Sequence, residues 1–252
     1  MIAPIRGRII GILTTALAAL VSCGGSPEPA PGSRAISFPS ADGVTLAGRL
    51  FGPESGRVGV VLAHMYPADQ SAWFDFAERL GDEGYRALTF NFRGYCPGGD
   101  AGCSEGDRDI GAIWEDVQGA VDEVRSHGVT HVALIGASMG GTASLIVASR
   151  EGRGIDAVVT LSAPPAFEGL VAGADVLAEV SAAKLFIAGH EDVAAAQAVD
   201  TFYAQSLQPK RPLILTTGDH GTDILSGNQA GIASTEILNW LERYAPVSGA
   251  AG

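Results

Sequence analysis

The feature that most constrains this chain is a buried-strand pattern that runs into a glycine-flanked serine and then into a helix pattern. The strand is the apolar run 132–135, the turn is Gly136-x-Ser138-x-Gly140, and a small-residue helix pattern follows at 142–148. Glycines two residues before and two after the serine let strand and helix pass without side-chain collision, while the serine takes a strained backbone. The pattern therefore predicts a nucleophile elbow, with the Ser138 hydroxyl projecting from the carboxyl end of a strand.

The same pattern occurs a second time, at Gly102-x-Ser104-x-Gly106. This copy follows Pro-Gly-Gly-Asp at 97–100, which is typical of a loop, and no strand pattern leads into it. Only Ser138 has a strand pattern before it and a helix pattern after it. We therefore expect Ser138, and not Ser104, to be the nucleophile.

Strand and helix patterns alternate along the rest of the chain. Apolar runs predict strands at 58–63, 86–92, 132–136, 157–161, 184–188 and 213–217, and helix patterns occupy 72–80, 110–124, 193–205 and 232–244. Strands separated by helices imply right-handed crossovers, so we expect an α/β fold with a mostly parallel twisted sheet and helices on both faces. Alternation broken by Asp-Gly adds an antiparallel hairpin within 36–50. The segment 162–183 is too short for a large lid domain.

The N-terminus has the composition of an export signal. Arginines at 6 and 8 precede an uncharged apolar run over 9–21, which suits a signal-peptide core and is too short to span a bilayer comfortably. The sequence Leu-Val-Ser-Cys at 20–23 resembles the bacterial lipobox, in which cleavage leaves a cysteine for lipid modification. Multi-chain lipidation at this cysteine would give stable membrane anchoring.

These features predict three segments. They are a lipoprotein signal peptide at 1–22, a lipidated Cys23 with a Gly/Pro/Ser linker over 23–34, and one folded domain over 35–246. The protein is then an exported bacterial lipoprotein, anchored to the cell-envelope membrane on its periplasmic or extracellular side. The membrane would be its partner through the lipid anchor.

The net charge of the chain argues against one class of partner, and the spacing of two cysteines predicts a disulfide. The formal net charge of −12 at pH 7 repels polyanions, so we expect no nucleic acid partner. Cys96 and Cys103 lie close together in a glycine-rich loop, and an exported protein meets an oxidising compartment. We therefore predict a disulfide between them. The oligomeric state is left open by these patterns.

A serine hydroxyl needs a base to take its proton, and five histidines are candidates. We favour His220, which follows the strand pattern ending at 217 and precedes the last helix pattern. His64 and His190 also follow strand patterns and stay open as alternatives. His127 and His131 flank the start of the elbow strand, at the opposite edge of the sheet from the serine, so we discount them.

The base in turn needs a carboxylate to orient it. The strand pattern 184–188 ends in Gly189-x-x-Asp192, and we favour Asp192 as this acid. Glu191 and Asp219 stay open as alternatives that the spacing does not exclude. Asp219 is the poorer of the two, because a neighbour in sequence rarely faces the inner nitrogen of the imidazole.

These residues carry a resemblance to the α/β-hydrolase family that extends over about 36–244. The elbow at Ser138, the acid at Asp192 and the histidine at His220 occur in the family's order of serine, acid, histidine. The sequence Asn-Phe-Arg-Gly at 91–94 resembles the family's Asp-x-Arg-Gly segment. Because the family follows that segment with a Gly-x-Ser-x-Gly, the resemblance gives Ser104 a structural loop role. It also implies the α/β-hydrolase fold.

The segment Ala-His-Met-Tyr-Pro at 63–67 resembles the family's oxyanion loop. By that resemblance the backbone N–H groups of Tyr66 and Met139 form an oxyanion hole, helped at Met139 by the N-terminus of a helix. Met65 departs from the glycine that the family usually has. If that glycine serves a positive-φ backbone, the departure affects the position of the first donor. For His64 we favour a hydrogen bond that organises the loop.

The leading hypothesis is a serine hydrolase that cleaves small-molecule carboxylic esters and needs no cofactor and no metal. The chain is similar to small lidless esterases and dienelactone hydrolases, although the latter use cysteine where this chain has Ser138. A peptidase or amidase could use the same triad, because loops choose the leaving group. An inactive lipid-anchored binding protein on the same fold is a further alternative. A metallohydrolase using side chains within 190–192 and 219–220 lacks spacing such as His-Glu-x-x-His.

Overall fold

A computed structural model of the chain describes residues 1–2 and 32–248. The predicted signal peptide beyond residue 2, the lipidation site Cys23 and the linker up to residue 31 lie outside these residues and stay predictions. Within the described part, no helix is long and apolar enough to cross a membrane.

An eight-stranded sheet forms the centre of the part that the structure describes. Its strands are β1 (Arg34–Pro39), β2 (Thr45–Phe51), β3 (Val58–Ala63), β4 (Arg86–Phe90), β5 (His131–Ala137), β6 (Ala157–Leu161), β9 (Ala183–Gly189) and β10 (Lys210–Leu215). They lie in the order β1-β2-β4-β3-β5-β6-β9-β10. β2 pairs antiparallel with β1 and β4, and the remaining pairs are parallel. The predicted mostly parallel sheet with an N-terminal hairpin is confirmed.

Helices cover both faces of this sheet. They are α1 (Phe74–Asp82), α2 (Ile113–Ser126), α3 (Met139–Glu151), α4 (Ala174–Glu179), α5 (Val193–Gln205) and α6 (Ala230–Tyr244). Val60 and Leu62 belong to the core layer with α1 and α6, whereas Val61 belongs to the layer with α2, α3 and α5. Successive strand residues point to opposite faces, and both faces are covered, which is why the strand sequences are continuously apolar.

The last strand begins earlier than the apolar pattern suggests. We expected it at 213–217, but β10 spans Lys210–Leu215 and pairs with β9 from Lys210 opposite Lys184 to Leu215 opposite Gly189. β10 is an edge strand, so only its last residue, Leu215, is buried, and the strand can contain Pro212. An edge strand of this kind lacks the apolar run by which buried strands are recognised.

The segment 162–183 contains short elements that its sequence does not predict. They are β7 (Ala166–Phe167), which pairs with β8 (Leu170–Val171), and the six-residue helix α4. Elements of two to six residues are too short to show a periodicity. No large additional domain occurs in the described residues, as expected.

The predicted disulfide between Cys96 and Cys103 is present. It closes a loop that buried side chains tie to the sheet: Gln70 Nε2 and Asn91 Nδ2 donate to the Ala101 carbonyl at 2.6 and 2.7 Å. The loop after β4 is therefore held both covalently and by hydrogen bonds.

Ser104 lies in the second glycine-serine-glycine copy and holds the same loop. Its buried hydroxyl donates to the Asn91 carbonyl at 2.7 Å and accepts from the Ala47 N–H at 2.9 Å. Nearby, the Arg93 guanidinium donates to Asp116 at 2.6 Å and to Asp42 at 2.8 Å. Hydrogen bonding to Arg93 lowers the pKa of Asp42 to about 2. These contacts fix the loop's position relative to β1, β2 and α2.

His64 joins the loops that follow β3 and β4. Its Nδ1–H donates to the Met65 carbonyl at 2.9 Å, and its Nε2 accepts from the Phe92 N–H at 3.1 Å. The ring packs against Phe92 and Tyr95 at centroid distances of 4.6 and 4.7 Å and is inaccessible to solvent. This burial lowers the pKa of His64 from 6.5 to about 4, so the imidazole is neutral at pH 7. The expected loop-organising contact is therefore present.

The low pKa of His64 predicts a loss of stability in acid. Between pH 6.5 and 4 the unfolded chain binds a proton at this position that the folded chain does not, so the free energy of unfolding falls as the pH falls. The full effect is about 3 kcal/mol, since each pKa unit is worth about 1.4 kcal/mol. Urea unfolding between pH 7 and 4 should show this slope in the wild type.

His64→Gln is the matched control, because glutamine offers an acceptor to the Phe92 N–H and does not titrate. The other titrating groups lower the free energy of unfolding equally in both proteins. The difference between the two pH slopes is therefore the contribution of His64. Equal pH dependence in the two proteins would contradict this assignment.

Candidate active site

Ser138 lies at the turn between β5 and α3, with φ 48° and ψ −120°. A Cβ at Gly136 would collide with the backbone of Gly140, and one at Gly140 would lie 2.5 Å from the Ala63 carbonyl oxygen. The two glycines thus permit the close passage of strand, turn and helix that the sequence pattern predicts. The result is a strained serine turn with the geometry typical of a nucleophile elbow.

Asp192 and His220 meet beyond the carboxyl ends of β9 and β10. Asp192 precedes α5, and its Oδ2 lies 2.6 Å from His220 Nδ1. The Asp192 side chain is 16% exposed and that of His220 is 44% exposed. A carboxylate at this distance keeps the proton on Nδ1, so that Nε2 is left as the acceptor.

The surroundings of these two residues argue against purely structural roles. Asp192 occupies the N-cap position of α5 but makes no capping hydrogen bond with its side chain. His220 likewise precedes the short helix Gly221–Leu225 without capping it. The one side-chain hydrogen bond that each of them makes within the described residues is to the other.

A pocket of about 370 Å³ brings the elbow serine and this pair together. Ser138, Asp192 and His220 all line it, and the other lining residues are mostly apolar: Tyr66, Ser162, Pro164, Pro165, Phe167, Ala194 and Ala195. Within the described residues, no hydrogen bond joins the side chains of Ser138 and His220. Such bonds are often long without substrate and tighten when it binds.

The alternative bases lie elsewhere. His64 is buried and engaged through both ring nitrogens, as described above. His190 is exposed and is not among the pocket-lining residues. His127 and His131 contact Glu123 and Asp156, and His131 begins β5, so both lie at the edge of the sheet away from the pocket.

The alternative acids also have other surroundings. Asp219 Oδ2 accepts from the Thr217 hydroxyl at 2.7 Å. Glu191 is exposed and lies beside Gly218. Among the described residues, neither carboxylate makes a hydrogen bond or ion pair with the His220 ring, whereas that of Asp192 does. In the part of the chain that is described, no three His, Cys, Asp or Glu side chains are arranged to hold a metal ion.

Two backbone N–H groups close to the elbow have no acceptor among the described residues. Met139 is the first residue of α3, and Tyr66, a residue 47% exposed, lines the pocket. Neither N–H donates to another residue among those described. The Tyr66 ring lies 6.0 Å from the Arg108 guanidinium, which also stacks over Tyr95 at 4.1 Å. An unpaired amide at a helix N-terminus is a suitable donor to an oxyanion.

Met65 does not adopt a positive φ, so its replacement of glycine imposes no backbone strain. Its side chain instead packs beside Gly221, the residue after His220. A Cβ at Gly221 would lie 2.5 Å from Met65 Sδ, and Gly221 has φ 58°. The contact links the loop carrying Tyr66 to the loop carrying His220. Its two partners are distant in sequence, so no pattern within the chain indicates it.

Comparison with known proteins agrees with this fold. Residues 59–239 match a family model described as alpha/beta hydrolase fold. An esterase from Pyrococcus furiosus is similar in structure, with a TM-score of 0.70, 18% sequence identity and coverage of 84% of this chain and 91% of that one. No curated protein sequence matches the chain.

Two further solved structures are similar at low identity. A dienelactone hydrolase from Anabaena variabilis has a TM-score of 0.68 and 20% identity, with coverage of 84% of this chain and 99% of that one. A thermophilic esterase from Thermogutta terrifontis has a TM-score of 0.65 and 16% identity, with coverage of 83% and 98%. At such identities the structural likeness shows the fold alone, but the family model spans most of the described domain. The chain belongs to the α/β-hydrolase fold family.

Proposed function

We propose that this protein is a serine hydrolase that cleaves carboxylic esters through an acyl-enzyme. The observation that carries the proposal is the 2.6 Å contact between Asp192 and His220 in the pocket that Ser138 lines. A histidine whose inner nitrogen is held by a carboxylate presents its outer nitrogen as a base. The elbow supplies a serine hydroxyl whose proton such a base can take.

In the proposed reaction, His220 Nε2 takes the proton of the Ser138 hydroxyl as its oxygen attacks the ester carbonyl carbon. Asp192 holds the imidazole in the required tautomer and stabilises the imidazolium that forms. The N–H groups of Tyr66 and Met139 donate to the tetrahedral oxyanion, each contributing about 3 kcal/mol of transition-state stabilisation. His220 then gives its proton to the leaving alcohol.

Water completes the cycle by attacking the acyl-enzyme. His220 takes a proton from the water, a second tetrahedral oxyanion forms at the same two amides, and Ser138 leaves with a proton returned from His220. The carboxylic acid is then released. All of these steps use side chains and backbone amides of the chain itself.

The pocket suggests the size and polarity of the substrate. Its volume of about 370 Å³ suits a small organic molecule, and its lining beyond the three proposed catalytic residues is mostly apolar. The short β7–β8 hairpin supplies Phe167 to the wall, and the described segment 162–183 adds no cover of greater size. These features favour esters whose acyl chain is short and carries no charged group. Esterase neighbours in structure support the same class.

Hydrolysis of a p-nitrophenyl ester series from acetate to palmitate tests the proposal. We expect rates to fall with increasing chain length, because a pocket of about 370 Å³ has more room for a short acyl group than for a long one. Ser138→Ala should abolish turnover. A folded wild-type protein that hydrolyses none of these esters would contradict ester hydrolysis and favour an amidase or a binding protein.

Substitution of the acid gives a second, independent prediction. Asp192→Asn should lower kcat by about 10⁴-fold, because an amide favours the wrong imidazole tautomer. Glu191→Gln is the matched control, since it neutralises an adjacent carboxylate and should leave kcat close to the wild-type value. A large fall in kcat in Asp219→Asn, together with a small fall in Asp192→Asn, would show that Asp219 is the acid that orients His220.

A further inference from the structure

Ser162 lies beside the elbow serine at the carboxyl edge of the sheet. The last paired residues of β5 and β6 are Ala137 and Leu161, so Ser138 and Ser162 are the next residues of two neighbouring strands. The Ser138 N–H donates to the Leu161 carbonyl at 2.8 Å, and the Ser162 N–H donates to the Ile187 carbonyl at 2.8 Å. Both serines line the pocket.

Two features make Ser162 unfavourable for folding. Its φ is 53°, in the left-handed region that favours glycine, and the described chain has this feature at only two other non-glycine residues, Ser138 and Glu168. Its hydroxyl is buried and has no hydrogen-bond partner. Glycine at this position would remove the backbone strain, and alanine would remove the unpaired buried hydroxyl. Residues that break two local rules at once tend to serve function.

The hydroxyl of Ser162 is polar in a wall that is otherwise mostly apolar. The wall around it is formed by Pro164, Pro165, Phe167 and the start of α5. The hydroxyl must turn toward the pocket to meet a substrate, and because it makes no hydrogen bond among the described residues, rotation about its single side-chain torsion breaks none. A serine hydroxyl can donate and accept, so an oxygen of the substrate can become its missing partner.

We propose that Ser162 determines specificity by hydrogen-bonding an oxygen substituent close to the scissile carbonyl. The enzyme would then prefer esters of short acids that carry an ether, hydroxyl or keto oxygen near the carbonyl to esters of plain alkanoic acids. The adjacency of Ser162 to Ser138 places that substituent near the reacting carbon. This inference rests on the proposed function and names the substrate class of the same site.

Two esters of equal length test it: p-nitrophenyl methoxyacetate and p-nitrophenyl butyrate, which differ by one oxygen in place of one methylene. The ratio of their kcat/KM values is measured in the wild type, in Ser162→Ala and in Ser162→Gly. Intrinsic reactivity of the esters cancels when ratios are compared between proteins. The ratio should fall about five- to tenfold in both variants, as expected for one lost hydrogen bond.

Ser206→Ala is the matched control. Ser206 also has a buried hydroxyl without a partner, but it follows α5 and is not among the pocket-lining residues. Both alanine variants should melt at the wild-type temperature or about 2–4 °C above it, because each removes an unpaired buried polar group. Only Ser162→Ala should change the ratio.

Three results would overturn the inference. One is an unchanged ratio in folded Ser162→Ala. Another is an equal loss of rate for both esters with a shifted pH profile, which would indicate that Ser162 acts on the triad. The third is a large fall in melting temperature, which would indicate a structural hydrogen bond.

A binding measurement separates this inference from the proposed function. Affinities of both intact esters are measured in Ser138→Ala with and without Ser162→Ala, where turnover plays no part. Loss of the preference for the methoxyacetate ester on removing the hydroxyl supports the inference, even if the wild type fails to hydrolyse esters. Equal preference in both backgrounds, or no binding of either ester, overturns it.

Discussion

The close backbone contact between the elbow and the loop after β3 is the constraint on which the rest of the site depends. Any side chain at Gly140 would strike the Ala63 and His64 carbonyl oxygens, at 2.5 and 2.6 Å from its Cβ. Because this position lacks a side chain, the start of α3 lies directly against the loop that carries Tyr66. The two amides proposed as oxyanion donors therefore come from segments that are distant in sequence and adjacent in space.

Other contacts extend this arrangement outward. His64 ties the loop after β3 to the loop after β4, and the disulfide and Ser104 hold that second loop in turn. On the other side, Met65 packs beside Gly221, so the His220 loop is positioned by the same segment. Side chains with no part in the proposed chemistry thus set the relative positions of the proposed catalytic groups.

Much of this could be predicted from the sequence because the relevant residues directly follow buried strands. Apolar runs identify those strands, and the sequence places Ser138 and Asp192 just after two of them, at the edge of the sheet where sites of this fold class lie. The structure adds the contact between Asp192 and His220, which the spacing left open among three carboxylates. The early start of β10 escaped prediction because an exposed edge strand needs no apolar run. The left-handed backbone conformation of Ser162 was not predicted, because serine is not a residue that usually indicates a positive φ.

The central claim is that Ser138 is a nucleophile activated by His220. Reaction with a p-nitrophenyl phosphonate ester, followed by peptide mapping, tests it most directly. The account predicts one phosphonyl group per chain, bound to Ser138, with labelling absent in Ser138→Ala and strongly slowed in His220→Ala. Labelling of another serine such as Ser104 or Ser162, or no labelling of the folded protein, would contradict it.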